Sequence, residues 1–125
     1  MPYRILVVED NDDIRATLIM SLELEGYECL EAVDGIDALA VLERLPVPDL
    51  IMLDMLMPRM NGWEFVETIH KDPRAHLAKI PIVAVTATSE KVQKAPGEIQ
   101  AVIRKPVDLD ELYRTLSGIL AANRG

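Results

Sequence analysis

This sequence has one cysteine and no long apolar run, which argues against a disulfide-bonded protein and against a membrane-spanning protein. The single cysteine, Cys29, has no partner for an internal disulfide, which suits a reducing compartment. No apolar run approaches the length of a membrane span, and no charged and then apolar leader opens the chain. We therefore expect a cytoplasmic protein that has no membrane partner.

Basic residues are also in short supply. Thirteen Lys and Arg residues stand against 21 Asp and Glu residues, which gives a net charge of −8. Such a balance repels nucleic acid and anionic membranes, so we expect no direct nucleic-acid partner. The 125 residues, half of them hydrophobic, suffice for one packed core and contain no repeat or linker. We expect one domain over residues 1–125.

Strand-like and helix-like segments alternate along the chain. Short apolar runs predict strands at residues 4–8, 27–32, 50–53, 81–85 and 99–103. Apolar residues at helical spacing predict helices after Asp12, from Ile36 to Leu42, over residues 63–70 and from Leu109 to Ile119. One or two further helical turns are expected over residues 89–95, before Pro96-Gly97. Short crossovers of this kind join parallel strands, so we expect an α/β fold with a parallel sheet that is covered on both faces.

Polar side chains stand at the carboxyl ends of four predicted strands. The first strand delivers Glu9 and Asp10, the third Asp54, the fourth Thr86 and the fifth Lys105. Parallel strands place these ends at one edge of the sheet, where ligands of open α/β folds bind. Three crowded carboxylates need a compensating cation, and hard oxygen ligands suit Mg²⁺. Lys105 supplies the remaining positive charge.

Four ordered motifs carry a resemblance to a known family. They are residues 7–11 (Val-Val-Glu-Asp-Asn), residues 54–62 (Asp-Met-Leu-Met-Pro-Arg-Met-Asn-Gly), Thr86-Ala87 and Lys105-Pro106. Together they resemble the receiver domain of two-component response regulators, the CheY-like family, over essentially the whole chain. The resemblance implies a doubly wound (βα)5 fold whose five-stranded parallel sheet has the strand order 2-1-3-4-5.

The same resemblance implies a role for each site residue. Asp54 would be the phosphoacceptor, Thr86 would engage the phosphoryl group, and Lys105 would be its ion-pair partner. A cis peptide bond is implied between Lys105 and Pro106. The implied ligands of Mg²⁺ are Glu9, Asp10, Asp54 and the backbone oxygen of Leu56.

The implied function is that of a signalling module. A sensor histidine kinase or a phosphotransfer protein would donate the phosphoryl group, and a downstream effector protein or a missing output domain would receive the signal. Asp54 would attack as a carboxylate and form an acyl phosphate, while Mg²⁺ and Lys105 neutralise the charge of the transferred group. The chain would catalyse only its own phosphorylation and dephosphorylation, and it would not otherwise be an enzyme.

Other interpretations stay open at this point. An aspartyl phosphohydrolase needs a second acid two residues after the nucleophile, where this chain has Leu56. A flavodoxin-like ligand-binding module needs a Gly-rich or hydroxyl-rich phosphate loop after the first strand, where this chain has Glu9 and Asp10. A receiver fold that has lost phosphorylation is a third alternative. Taken singly, each site residue also fits a structural role, for example Thr86 as a hydrogen-bonding residue at a strand end.

Two departures from the family pattern lead to an expectation about output. Val102 stands where many members carry an aromatic switch residue, and Pro96-Gly97 interrupts the segment that precedes the fifth strand. We expect the helix over residues 89–95 to be short or mobile. Phosphorylation would then act by ordering residues 86–96, and hydrogen exchange would show new protection mainly over residues 87–95.

Overall fold

Five strands form one parallel sheet in the computed structural model, which describes residues 2–44, 47–57, 59–86 and 99–124. The strands are β1 (Arg4–Val8), β2 (Glu28–Ala32), β3 (Leu50–Asp54), β4 (Ile82–Thr86) and β5 (Ile99–Arg104). Their order in the sheet is β2-β1-β3-β4-β5, and every neighbouring pair is parallel. The predicted fold class and strand order are therefore confirmed.

The central strands are apolar and almost entirely buried. Every residue of β3 and of β4 is buried, as are the last four residues of β1. The edge strands β2 and β5 instead consist mostly of exposed and partly buried residues, with one buried residue each, Ala32 and Ile103. Continuous burial is typical of parallel strands that are covered on both faces, because no side of such a strand meets water.

Five helices lie in the described part of the chain. They are α1 (Asp12–Leu24), α2 (Gly35–Leu42), α3 (Gly62–His70), α4 (Ala75–Ala78) and α5 (Leu109–Arg124). The four-residue helix α4 is a finding of the structure, since the sequence predicts only a break there. The helix predicted over residues 89–95, and with it the expected ordering of that segment, lies outside the described residues. No described helix has both the length and the apolar character needed to cross a membrane.

Asx side chains cap three of the helices that begin at the carboxyl edge of the sheet. The side chains of Asn11, Asp34 and Asn61 accept hydrogen bonds from the backbone amides at the starts of α1, α2 and α3. The sequence allows Asn11 or Asp12 as the cap of α1, and the structure assigns it to Asn11. Such caps satisfy amides that would otherwise lack partners, so each loop at this edge ends at a defined residue.

The helices cover both faces of the sheet with two separate apolar clusters. Alternate residues of each strand point to opposite faces, so Leu6 and Val8 pack with α2 and α3 while Ile5 and Val7 pack with α1 and α5. Among the helical residues, Phe65 of α3 is fully buried in the first cluster and Leu116 of α5 in the second. The doubly covered sheet holds the carboxyl ends of its strands on a rigid platform.

Gly62 is expected to be intolerant of a side chain. A Cβ at this position would lie 2.8 Å from the Cα of Met55, in the loop after β3, and 2.5 Å from the Met55 sulfur. Carbon atoms pack at about 3.5–4.0 Å, so Gly62→Ala should lower the free energy of unfolding by about 1–3 kcal/mol. Urea denaturation measures this change.

Gly118 provides the matched control. It lies inside α5, where an added Cβ would meet nothing within 4 Å. Gly118→Ala should therefore raise the free energy of unfolding by about 1 kcal/mol, the usual gain for removing a helical glycine. Equal effects of the two alanine substitutions would contradict the proposed close approach at Gly62.

Candidate functional site

The candidate site lies at the carboxyl edge of the sheet, where the strand register gathers the polar residues. Asp54 is the last residue of β3, and Thr86 is the last residue of β4. Glu9 and Asp10 follow β1, and Lys105 follows β5. The parallel pairing of β1 with β3, β3 with β4 and β4 with β5 aligns these ends. The predicted convergence is thus present in the fold.

Three carboxylates crowd together at this edge. Glu9, Asp10 and Asp54 each offer one carboxylate oxygen, and these oxygens all lie within 4.8 Å of one another. Glu9 is 2% exposed and Asp54 5% exposed, whereas Asp10 faces solvent. Like charges at this separation repel strongly when water is excluded, so two of the acids depend on a nearby cation.

Lys105 supplies one cation to the buried acids. Its Nζ lies 2.8 Å from Oε1 of Glu9 and 3.6 Å from Oδ2 of Asp54. The backbone amide of Lys105 donates to the carbonyl of Thr86 at 2.8 Å, and the peptide bond from Lys105 to Pro106 is cis. Burial alone would lower the pKa of Lys105, but the hydrogen bond to Glu9 and the attraction of Asp54 outweigh it and raise the pKa.

The pKa of Asp54 is raised in the metal-free protein. Burial raises its pKa to about 7, and repulsion from Glu9 acts in the same direction. The backbone amide of Leu56 donates to Oδ1 of Asp54 at 3.1 Å, and this bond together with Lys105 favours the charged form without restoring the ordinary pKa. A carboxylate with such a pKa gains from any further cation at the site.

The arrangement fits a divalent metal ion. Oε1 of Glu9 is buried, and the Lys105 ammonium 2.8 Å away is its ion-pair partner. This oxygen belongs to a cluster of three carboxylates, and Mg²⁺ prefers such hard oxygen ligands, few in number and completed by water. The other oxygen, Oε2, accepts from the amide of Asn11 at 3.1 Å, which fixes the orientation of the carboxylate.

The raised pKa of Asp54 predicts a pH-dependent stability of the metal-free protein. A carboxyl group with a folded pKa near 7 and an ordinary unfolded pKa binds more protons when folded, so stability should fall as pH rises from about 4 to about 7. Lys105 titrates far above this window. Asp54→Asn has no carboxyl group to titrate at this position. The free energy of unfolding of the variant should therefore exceed that of the wild type by more at pH 8 than at pH 5. Urea denaturation in a chelator tests this, and an equal gain at both pH values would contradict it.

Two arginines hold the loops of the site, and the sequence patterns do not reveal either one. Arg15 of α1 donates to the carbonyl of Glu9 at 2.9 Å and to the carboxylates of Glu31 and Asp12 at 2.9 and 2.7 Å. Its side chain is only 12% exposed. This triple contact fixes the loop between β1 and α1 that carries two of the three acids.

Arg59 holds the loop between β3 and α3. Its Nε donates to Oδ2 of Asp34 at 2.6 Å, and the Asp34 side chain is 4% exposed. The partners Glu31 of Arg15 and Asp34 of Arg59 lie 16 and 25 residues away in the chain, so local sequence does not predict these two contacts.

Comparisons with known proteins agree on one family. A family model described as "Response regulator receiver domain" matches residues 5–117. The chain is 34% identical to protein PilH of Pseudomonas aeruginosa over 94% of its length and 98% of PilH. It is 38% identical to the phosphate regulon transcriptional regulatory protein PhoB of the same organism, over 93% of this chain but only 51% of PhoB.

A solved structure extends the comparison to the site. The receiver domain of sensor histidine kinase PA1611 from Pseudomonas aeruginosa superposes with a TM-score of 0.84 at 26% identity, over 97% of this chain and 99% of that one. In that structure a magnesium ion is coordinated in the active site cleft.

Proposed function

The chain belongs to the response regulator receiver domain family of two-component systems, and we propose that it accepts a phosphoryl group on Asp54 in a Mg²⁺-dependent reaction. The donor is a sensor histidine kinase or a phosphotransfer protein. The observation that carries this proposal is the convergence of three carboxylates, with the Lys105 ammonium 3.6 Å from Asp54.

Asp54 is the nucleophile of the proposed reaction. A carboxylate oxygen attacks the phosphorus of a phosphohistidine, the P–N bond breaks, and the imidazole keeps the bonding electrons and takes a proton. The product is an acyl phosphate on Asp54. The amide of Leu56, which donates to Oδ1, leaves Oδ2 as the oxygen that points toward Lys105. Orientation of the nucleophile in this way removes part of the entropic barrier.

Mg²⁺ bound by Glu9, Asp10, Asp54 and the backbone oxygen of Leu56 would keep Asp54 ionised and neutralise the charge of the phosphoryl oxygens. Lys105, whose ammonium lies 3.6 Å from Asp54, would stabilise the same charge as an ion-pair partner. Thr86 donates its hydroxyl to a phosphoryl oxygen once transfer is complete, which makes it the switch residue at the end of β4. The receiver of PA1611, which holds a magnesium ion in its cleft, supports the assignment of the metal.

The signal passes from the site to a protein partner in this proposal. The chain spans nearly all of PilH but about half of PhoB, so relatives of both lengths use this domain. The recipient is therefore either a separate effector protein or an output domain, and we place the reaction in the cytoplasm. An aspartyl phosphohydrolase is disfavoured because the position two residues after Asp54 is the exposed, apolar Leu56, which cannot act as a general acid.

Mass spectrometry of the intact protein tests the proposed function. Incubation with Mg²⁺ and a small phosphodonor such as acetyl phosphate should add one phosphoryl group per chain, and a chelator should prevent the addition. Labelling of equal extent in the chelator would exclude a metal-dependent reaction. The absence of labelling at saturating Mg²⁺ and donor would exclude phosphoacceptance itself.

A further inference from the structure

Arg59 has an unusual backbone conformation for its residue type. Its φ angle is +64°, and it is the one non-glycine residue with a positive φ in the described part of the chain. A side chain with a Cβ pays a steric cost in this left-handed region, where Gly, Asn and Asp are the usual residues. Contacts elsewhere in the structure must therefore compensate for the cost of this conformation.

One such contact is an ion pair of Arg59 with a nearly buried carboxylate. Nε of Arg59 lies 2.6 Å from Oδ2 of Asp34, and the other oxygen of Asp34 accepts from the amide of Asp37 at 2.9 Å in the first turn of α2. Burial alone would raise the pKa of Asp34, but the hydrogen bonds from Arg59 and from the amides of Asp37 and Ile36 lower it. The partner of Arg59 is thus a fixed, charged anchor on a helix start.

A second contact joins the same two segments. The backbone amide of Gly35 donates to the carbonyl of Met60 at 3.2 Å. A Cβ at Gly35 would lie 2.6 Å from Cγ of Met60, so the glycine permits this close approach. Adjacent residues of the loop, Arg59 and Met60, therefore dock onto adjacent residues at the start of α2.

The same loop includes Leu56, whose backbone amide contacts the proposed phosphoacceptor Asp54. The described residues of this loop are 55–57 and 59–61, and a hydrogen bond from the amide of Gly62 to the carbonyl of Met55 at 3.1 Å closes its far end. Within it, the amide of Leu56 donates to Oδ1 of Asp54. Arg59 lies three residues after Leu56, so its ion pair fixes the middle of a loop whose first residues orient Asp54.

We propose that Arg59 is a positioning residue of the phosphorylation site, which acts through its ion pair with Asp34 to hold Leu56 against Asp54. This inference rests on the proposed function for its consequence in phosphorylation, but the loop contact can be measured without it. Loss of the ion pair leaves a left-handed residue without its anchor, so the loop gains conformations in which Leu56 no longer faces Asp54.

Hydrogen exchange in unphosphorylated protein tests the loop directly. Arg59→Asn keeps a residue that tolerates positive φ but removes the ion pair, and Asp34→Asn keeps a good helix cap but removes the charge. Each should accelerate exchange of the Leu56 amide about tenfold relative to that of Leu53 in β3, the effect of losing one charge-assisted hydrogen bond. Arg59→Lys should restore part of the protection. Lys71→Ala, which removes an exposed ion pair with Glu67, should change nothing at Leu56.

The phosphorylation assay supplies the second measurement. With acetyl phosphate, Arg59→Asn and Asp34→Asn should label more slowly than the wild type, with the larger deficit at limiting Mg²⁺. If the ratio of the Leu56 exchange rate to the Leu53 exchange rate is unchanged in both variants, the inference is wrong. A uniform acceleration of exchange over the whole sheet would also overturn it, because such a change indicates an ion pair that only stabilises the fold. A wild-type protein that fails to label, combined with the local change at Leu56, would overturn the proposed function and support the loop contact.

Discussion

Asp54→Asn should abolish phosphorylation by acetyl phosphate or by a kinase. The substitution removes the only oxygen nucleophile that the proposed reaction uses, so the labelling rate should fall by about 10²-fold or more, below detection over the time in which the wild type is labelled fully. Mass spectrometry of the intact protein gives the stoichiometry, and peptide mapping of the wild type should place the group on Asp54.

The variant separates chemistry from folding because Asn can keep the local structure. Oδ1 of Asp54 accepts the Leu56 amide, and an asparagine oxygen can accept the same bond. Removing one of three crowded carboxylates also relieves repulsion from Glu9, so the variant should unfold at a higher urea concentration than the wild type at pH 8.

Asp13→Asn is the matched control, since it makes the same chemical change at an exposed acid of α1. It should label at the wild-type rate. Full labelling of Asp54→Asn would overturn the assignment of the phosphoacceptor, whereas loss of labelling in both variants would indicate an effect of charge alone.

The sheet and the acidic cluster are predictable because local patterns determine them. Residues 50–53 form an unbroken apolar run that ends on Asp54, and such a run indicates a strand buried on both faces. Once several such strands alternate with helices, the geometry of a parallel sheet brings Glu9 and Lys105 to the same edge. The structure places these residues within 2.8 Å of each other, across almost the full length of the chain.

The remaining features depend on contacts that no local pattern records. Helix α4 has four residues, too few to show helical periodicity, and of its described side chains Leu77 alone is fully buried. Arg15 looks like an ordinary helix-surface residue in sequence, yet tertiary contacts leave its side chain 12% exposed. Arg59 sits in a loop where the sequence favours turn geometry, but only the fold brings Asp34 to it.

Lys105→Ala should separate metal binding from phosphoryl transfer. The Lys105 ammonium lies close to both Glu9 and Asp54, so it competes with any cation that binds these acids. Its removal should leave Mg²⁺ affinity at pH 8 unchanged or higher. The rate of labelling at saturating Mg²⁺ should nevertheless fall by about 10²–10³-fold, the usual cost of losing one preorganised group that stabilises transition-state charge.

The stability of the same variant provides an independent measurement. In a chelator, Lys105→Ala leaves two nearly buried carboxylates without their cation, so its free energy of unfolding should be lower than that of the wild type. Mg²⁺ should then stabilise the variant more than it stabilises the wild type, because the metal replaces the missing charge. Lys79→Ala, at an exposed lysine far from the cluster, should show neither effect. Loss of Mg²⁺ binding in Lys105→Ala would show that the lysine holds the acids in place, rather than competing with the metal for them.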